Sequence, residues 1–328
     1  MAYVQKQFEQ YHAAIRMDYE MSSTLCEKRD IVVKRIKKYL KDNNLPGVTV
    51  LLQGSYKMKT GVKPIGEREY DIDIGLRFDF HEDEHTAEEV RGWVYEAVKD
   101  HTNRIEDRGP CIRVAYEAGY HLDLVSYAVW DHIGADQYRL AHKKRGWVPA
   151  DPPRLRECVN DARKPFDGTE DDKTKTDQFR RVVRSLRRWD DVAIPRESTA
   201  KPSGLAFVLL CRDQLKPASR LDGKPDDAEA LRTIARYCGN VIGRIVATKP
   251  TPEYEEMFSG LTESEMDSLK SRFSALADAL DEAAHERDPV KACETLKKQF
   301  GEDFPVPDPE DTAKKTSAPA VVTSSSSA

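Results

Sequence analysis

Leu52-Gln53-Gly54-Ser55-Tyr56-Lys57 and, after a spacer, Glu69-Tyr70-Asp71-Ile72-Asp73-Ile74 carry the pattern that decides the fold. Val48 to Leu52 is a short apolar run of strand type, and Gly54-Ser55 ends it. The stretch from Tyr70 to Phe80 alternates, which predicts a second strand. Side chains two apart on a strand share a face, so Asp71 and Asp73 point together while Tyr70, Ile72 and Ile74 point into the opposite layer. Further on, His121-Leu122-Asp123-Leu124-Val125 places one more acid among apolar residues. If these strands are neighbours, three carboxylates converge.

Such convergence is unfavourable without a counter-charge. Two like charges about 4 Å apart repel by roughly 4 kcal/mol at an effective dielectric of 20. A divalent cation relieves it, and an all-oxygen set suits Mg²⁺ or Mn²⁺ with phosphate oxygens completing the shell. Two such ions can clamp an in-line phosphoryl displacement. Gly54 and Ser55 supply the complement. A glycine lets backbone N–H groups approach a phosphate closely, and the serine hydroxyl adds a donor.

The rest of the chain is arranged around this centre. Residues 3 to 42 have helical spacing. A helix is expected over Thr86 to Asp100, opened by a capping box of Thr86 and Glu89. Cys111 to Tyr116 and Tyr120 to Ala128 read as two strands of a hairpin turning at Glu117-Ala118-Gly119. Residues 151 to 173 look like a connecting loop. Helices are expected over 176–190, 203–215, 226–246, 262–284 and 288–300. The expected class is therefore α+β: a mixed-sheet unit over residues 1–170 that includes a bracing N-terminal helix, a helical lobe over 171–305 that closes a cleft, and a disordered tail over 306–328.

Composition excludes several roles. The net charge of -5 argues against a surface that binds long nucleic acid. No apolar run reaches the length of a membrane span, and no signal peptide is seen, so a cytoplasmic protein is expected. The six cysteines, Cys26, Cys111, Cys158, Cys211, Cys238 and Cys293, form no C-x-x-C pair and read as reduced thiols, mostly core filler. His81-Glu82-Asp83-Glu84-His85 matches the zinc-protease pattern in form, but its polar run between a strand end and a capping box reads as a loop or frayed turn. Phe179 to Trp189 is an amphipathic helix whose arginines form either a solvated face or a cationic wall for phosphates, with Arg187 toward the cleft and Arg180 toward water.

Gln53-Gly54-Ser55-Tyr56, Asp71-Ile72-Asp73 and Asp123 together resemble the polymerase-beta-type nucleotidyltransferases, and most closely the bacterial cGAS/DncV-like nucleotidyltransferases of CBASS antiphage defence. Lys59-Thr60 with Lys63-Pro64, the helix Phe179 to Trp189, Lys201-Pro202-Ser203-Gly204 and Phe300-Gly301-Glu302-Asp303-Phe304-Pro305 extend the resemblance over residues 1 to 305. The resemblance implies an Mg²⁺- or Mn²⁺-dependent synthase. It would join nucleoside triphosphates, at least one a purine and ATP first among them, into a cyclic di- or trinucleotide and release pyrophosphate. It implies that Asp71, Asp73 and Asp123 are the catalytic metal ligands. It further implies that Gln53, Gly54, Ser55, Arg187 and Ser203 bind nucleotide, Arg187 standing where the family usually has lysine. An operon effector would be reached only through the product. The tail, ending Ser324 to Ala328, would suit conjugation by an E1/E2-like partner. Two alternatives stay open at this point. One is a linear oligonucleotide synthase, or a transferase acting on an RNA, protein or small-molecule acceptor. The other, from a different class, is a non-catalytic nucleotide-binding or antitoxin module.

Overall fold

A computed structural model describes residues 3–17, 23–66, 70–194, 198 and 201–308 of the chain. It opens with two helices, α1 (Gln5–Ile15) and α2 (Ser23–Asp42), where helical spacing predicts one stretch. The first helix ends because Arg16 turns extended, with ψ at 137°, and pairs with Val62 in an isolated bridge. Next come β1 (Thr49–Leu52), the short helix α3 (Gly54–Met58), β2 (Tyr70–Asp79) and α4 (Ala87–Val98). The capping box of α4 forms as expected: Glu89 N–H donates to Thr86 Oγ1, and Thr86 N–H donates to Glu89 Oε2 at 2.7 Å. Five strands follow: β3 (Arg104–Asp107), β4 (Ile112–Tyr116), β5 (Tyr120–His132), β6 (Ala135–His142) and β7 (Gly146–Ala150).

The sheet runs in the order β1-β2-β5-β4-β3, with β6 pairing the far end of β5 and β7 pairing β6. Only β2 and β5 are parallel, so the sheet is mixed as expected. One face is apolar. Ile72, Ile74, Leu76 and Phe78 of β2 and Leu122 and Leu124 of β5 pack on Val32, Ile36 and Leu40 of α2 and Val90, Val94 and Val98 of α4. Fully burying each such side chain contributes about 1.5–3 kcal/mol, which fixes the register. Strand alternation then leaves the odd-numbered positions, Asp71, Asp73, His121 and Asp123, no choice but the other face.

The helical half holds α5 (Pro152–Arg163), a single 3-10 turn (Lys164–Phe166), α6 (Gln178–Ala193), α7 (Gly204–Gln214), α8 (Asp227–Asn240), α9 (Glu263–His285) and α10 (Pro289–Phe300). Helix α5 lies where a connecting loop is expected. The proline-rich text is a helix start: Asp151 caps it, accepting from Arg154 N–H at 2.9 Å, and Pro152 occupies the first turn, where its missing N–H costs nothing. The N-terminal segment serves both cores. Helix α2 covers the sheet, whereas Phe8, Tyr11 and Ile15 of α1 enter the helical core with Val159 of α5. The Phe300 to Pro305 motif explains how α1 is held. The rings of Phe300 and Phe304 stack 5.6 Å apart, and Phe8 meets both edge-on at 5.6 and 5.1 Å.

All six cysteines are unpaired, and Cys111, Cys211, Cys238 and Cys293 are buried. Among the described residues no helix is long and apolar enough to cross a membrane. Residues 305–308 form neither helix nor strand. The rest of the expected tail, and the C-terminus on which conjugation is expected, lie outside the described residues.

Candidate active site

The parallel register of β2 and β5 sets Asp71 beside His121 and Asp73 beside Asp123. Asp123 and His121 are buried, and Asp71 and Asp73 are half-buried. Asp71, His121 and Asp123 each offer a ligand atom, and these atoms lie within 4.8 Å of one another. On the other flank of β5, Arg113 of β4 pairs with Asp123 and forks onto its carboxylate, Nε donating to Oδ1 at 2.7 Å and Nη2 to Oδ2 at 2.6 Å. The charge crowding is visible at Asp73. Desolvation first, then the neighbouring carboxylates of Asp71 and Asp123, push its carboxyl up to about 8.

Gln53 and the two residues after it close on this group. Gly54 has φ at +63°, a left-handed conformation that favours glycine. A Cβ at Gly54 would lie 1.8 Å from Asp73 Oδ2, so the backbone at Gly54 rests directly against the carboxylate. The Gln53 side chain is held by Tyr127, whose hydroxyl donates to Gln53 Oε1 at 3.1 Å. Lys59 then reverses the chain in a left-handed conformation, and Thr60 N–H donates to Ser55 O at 3.0 Å. The strand end, the loop and the acid strand are therefore one rigid corner.

Arg187 faces the cleft as expected, but the other arginines of α6 follow neither expectation. Arg181, Arg184 and Arg188 are buried rather than solvated. Arg181 forks onto Asp227 of α8, with Nε–Oδ2 at 2.6 Å and Nη2–Oδ1 at 2.8 Å. Arg184 donates to Gly61 O at 3.1 Å, and Arg188 to Lys63 O at 3.0 Å. Arg180, expected to face water, is only 17% exposed and lies 3.3 Å from Asp177. Its own N-cap aspartate draws it back along the helix. Arg187 alone of these lines the cavity beside the acids, anchored through Nη1 to Thr60 O at 2.6 Å. Gly204 makes room for it, since a Cβ there would lie 2.8 Å from the Arg187 guanidinium carbon. Ser203 caps α7, its hydroxyl accepting from Ala206 N–H at 3.2 Å.

One cavity of about 910 Å³ gathers all eight residues singled out from the sequence: Gln53, Gly54, Ser55, Asp71, Asp73, Asp123, Arg187 and Ser203. That is the upper end of the ordinary range for small-ligand sites. Lys249, Glu253, Met257, His142, Arg145 and Arg156 also line it and lie outside the residues expected from the sequence. His121 and Arg113 are not among the expected site residues either. Alternation along the strand finds His121, and the predicted hairpin finds Arg113, because a turn at Ala118 sets residue 113 opposite residue 123.

Residues 48–127 match the family model described as the cyclic GMP-AMP synthase DncV-like nucleotidyltransferase domain. This span is a DncV-like nucleotidyltransferase domain. The chain is also 25% identical over 204 residues to a cyclic GMP-AMP synthase of Escherichia albertii. That alignment takes in 60% of this chain and 43% of the relative, so the chain spans less than half the length of that protein. Among solved structures, Escherichia coli DncV in its 3'-deoxy GTP bound form superposes with a TM-score of 0.73 at 16% identity, over 90% of this chain and 97% of that one. Vibrio cholerae DncV with the linear intermediate 5' pppA(3',5')pG gives 0.70 at 16%, over 91% and 96%. Escherichia coli CdnC with ATP gives 0.66 at 13%, over 92% and 98%. At such identities the superpositions speak for the fold, which is shared over almost the whole described chain.

The DncV-like domain carries the acid group, the Gly54-Ser55 corner and Arg113, while Arg187 and Ser203 come from the helical half. Its donor set fits a divalent cation. Asp71, His121 and Asp123 offer ligand atoms within 4.8 Å of one another, and Asp73, the register partner of Asp123, keeps a proton to about 8 through burial and its acid neighbours. The zinc-protease pattern finds no site. His81 to His85 lies in turns between β2 and α4, with His81 against Trp130 at 4.5 Å and His85 against Trp93 at 4.9 Å.

Proposed function

We propose that the protein joins nucleoside triphosphates into a cyclic di- or trinucleotide and releases pyrophosphate. The carrying observation is the corner itself: Gly54 packed on Asp73, with Asp71 and Asp123 beside it, at the end of a cavity that also takes in Arg187 and Ser203. Asp71, Asp73 and Asp123 would hold Mg²⁺ or Mn²⁺. When bound, the cation supplies charge neutralisation to the transferring phosphate and the leaving pyrophosphate. Gly54 and Ser55 would bind phosphate oxygens through the backbone and a hydroxyl. Arg187 would fork onto the triphosphate tail, its position fixed by Thr60 O so that little rotamer freedom is lost on binding. Ser203 would stand beside it at the first turn of α7. Val125, Leu140, Val148 and Val208 line the same cavity and would keep water from the reacting phosphate.

The relatives' cyclic GMP-AMP synthase activity and their GTP-analogue and ATP complexes support nucleotide substrates with at least one purine, ATP first among them. We assign the product a signalling role in cytoplasmic antiphage defence, with the effector reached through the product alone. The 1–170 unit would carry the chemistry and the 171–305 lobe would close on the nucleotides. Incubation with labelled ribonucleoside triphosphates and Mg²⁺ tests the reaction. A phosphatase-resistant small product supports it. Label that appears only after an acceptor is added overturns it.

A further inference from the structure

We propose that Arg113 is a positioning residue that competes with a bound cation for Asp123 and so makes cation loading depend on nucleotide. The inference rests on the reading that the acid group holds a divalent cation. Asp123 stands on β5 between two flanks, Asp73 of β2 on one side and Arg113 of β4 on the other. Arg113 engages both oxygens of Asp123, at 2.7 and 2.6 Å. The two side chains are only 11% and 10% exposed, so water screens the pair weakly.

A cation held by this acid group would draw on an Asp123 oxygen that Arg113 already engages. It also brings a double positive charge close to the guanidinium. Arg113 feels Asp71 as well as Asp123, so its charge is set against the whole group and not one acid alone. The fork and the cation therefore oppose each other, each drawing Asp123 toward its own flank. Triphosphate oxygens add negative charge and further ligands on the cation side, and shift the balance. Arg113 thus keeps the acid group from holding a cation tightly before nucleotide arrives.

Binding of Mn²⁺ to the full chain, followed by electron paramagnetic resonance without nucleotide, tests this. Arg113→Lys keeps the charge but loses the fork, and Arg113→Gln loses both. Mn²⁺ should bind about tenfold tighter to Arg113→Lys than to the parent, and tighter again to Arg113→Gln, as expected when a charged hydrogen bond no longer competes. In an Asp123→Asn background, Arg113→Lys should change nothing, which separates the fork from any general loosening of the fold. A non-hydrolysable ATP analogue should tighten Mn²⁺ binding more in the parent than in Arg113→Gln. Equal or weaker Mn²⁺ binding by Arg113→Lys overturns the inference and leaves the cation site standing if Asp71→Asn with Asp73→Asn abolishes binding. Mn²⁺ binding that survives that double substitution overturns both.

Discussion

The acid face of β2 and β5 and the arginine face of α6 are both runs of like charge, and the fold treats them in opposite ways. The acids are brought together at a cavity wall, with Arg113 on one flank as the described counter-charge. The arginines are spread round a helix and bound one by one to Asp227 and to the carbonyls of Thr60, Gly61 and Lys63. Charge that is satisfied in this way holds structure together. Charge left crowded at a cavity is available for chemistry. The segment 59–63 joins the two regions, because it follows the Gly54-Ser55 corner and receives the arginines.

That contrast can be broken by substitution. The largest effect is expected from Asp71→Asn with Asp73→Asn. Replacing the two acids that would hold the cation should lower product formation by about 10³-fold or more in a steady-state assay, with the unfolding temperature unchanged or raised because their mutual repulsion is relieved. Arg181→Met should do the reverse. It strands Asp227 as a buried charge, which costs about 3 kcal/mol in denaturant unfolding, while the nucleotide cavity is untouched.

Smaller effects sharpen the boundary between the two regions. Gly54→Ala puts a methyl into Asp73 and demands a left-handed alanine, so activity should fall by about 10²-fold with modest loss of stability. Arg187→Ala should raise KM for the triphosphate by about tenfold through loss of one charged contact, with Arg187→Lys between it and the parent. An unchanged KM would place Arg187 with its structural neighbours.

The acid group also sets a pH dependence of stability without divalent cation. Folded Asp73 keeps its proton to about 8, whereas the unfolded chain loses it near the ordinary value of 3.8. Between these values the folded state binds more protons, so stability falls as pH rises. Differential scanning fluorimetry in EDTA should show that decline in the parent and a flatter profile in Asp73→Asn. Mg²⁺ should then raise the unfolding temperature more at pH 8 than at pH 5.

The acids were legible because strand alternation is a local rule and Ile72, Ile74, Leu122 and Leu124 state it clearly. The arginines were not, because a helix in sequence shows its donors and not the backbone acceptors that meet them 120 or more residues away. Strands β6 and β7 are hard to read because Ala135–His142 mixes polar and apolar residues and buries only Tyr138 and Ala141, so alternation is faint. Helix α5 looks like a loop in sequence because Pro152-Pro153 resembles a breaker, whereas Asp151 caps the helix and the prolines sit in its first turn. His121 follows from alternation, two residues before Asp123, whereas Arg113 needs the register of the hairpin, which periodicity alone does not supply.

On the proposed reaction the crowded acids serve to make a cyclic nucleotide. Mass spectrometry of the reaction with all four ribonucleoside triphosphates and Mg²⁺, after phosphatase treatment, tests it most directly. A resistant product with the mass of a cyclic di- or trinucleotide is expected, absent from Asp71→Asn with Asp73→Asn. Linear products alone, or a product that persists without those two acids, would contradict it.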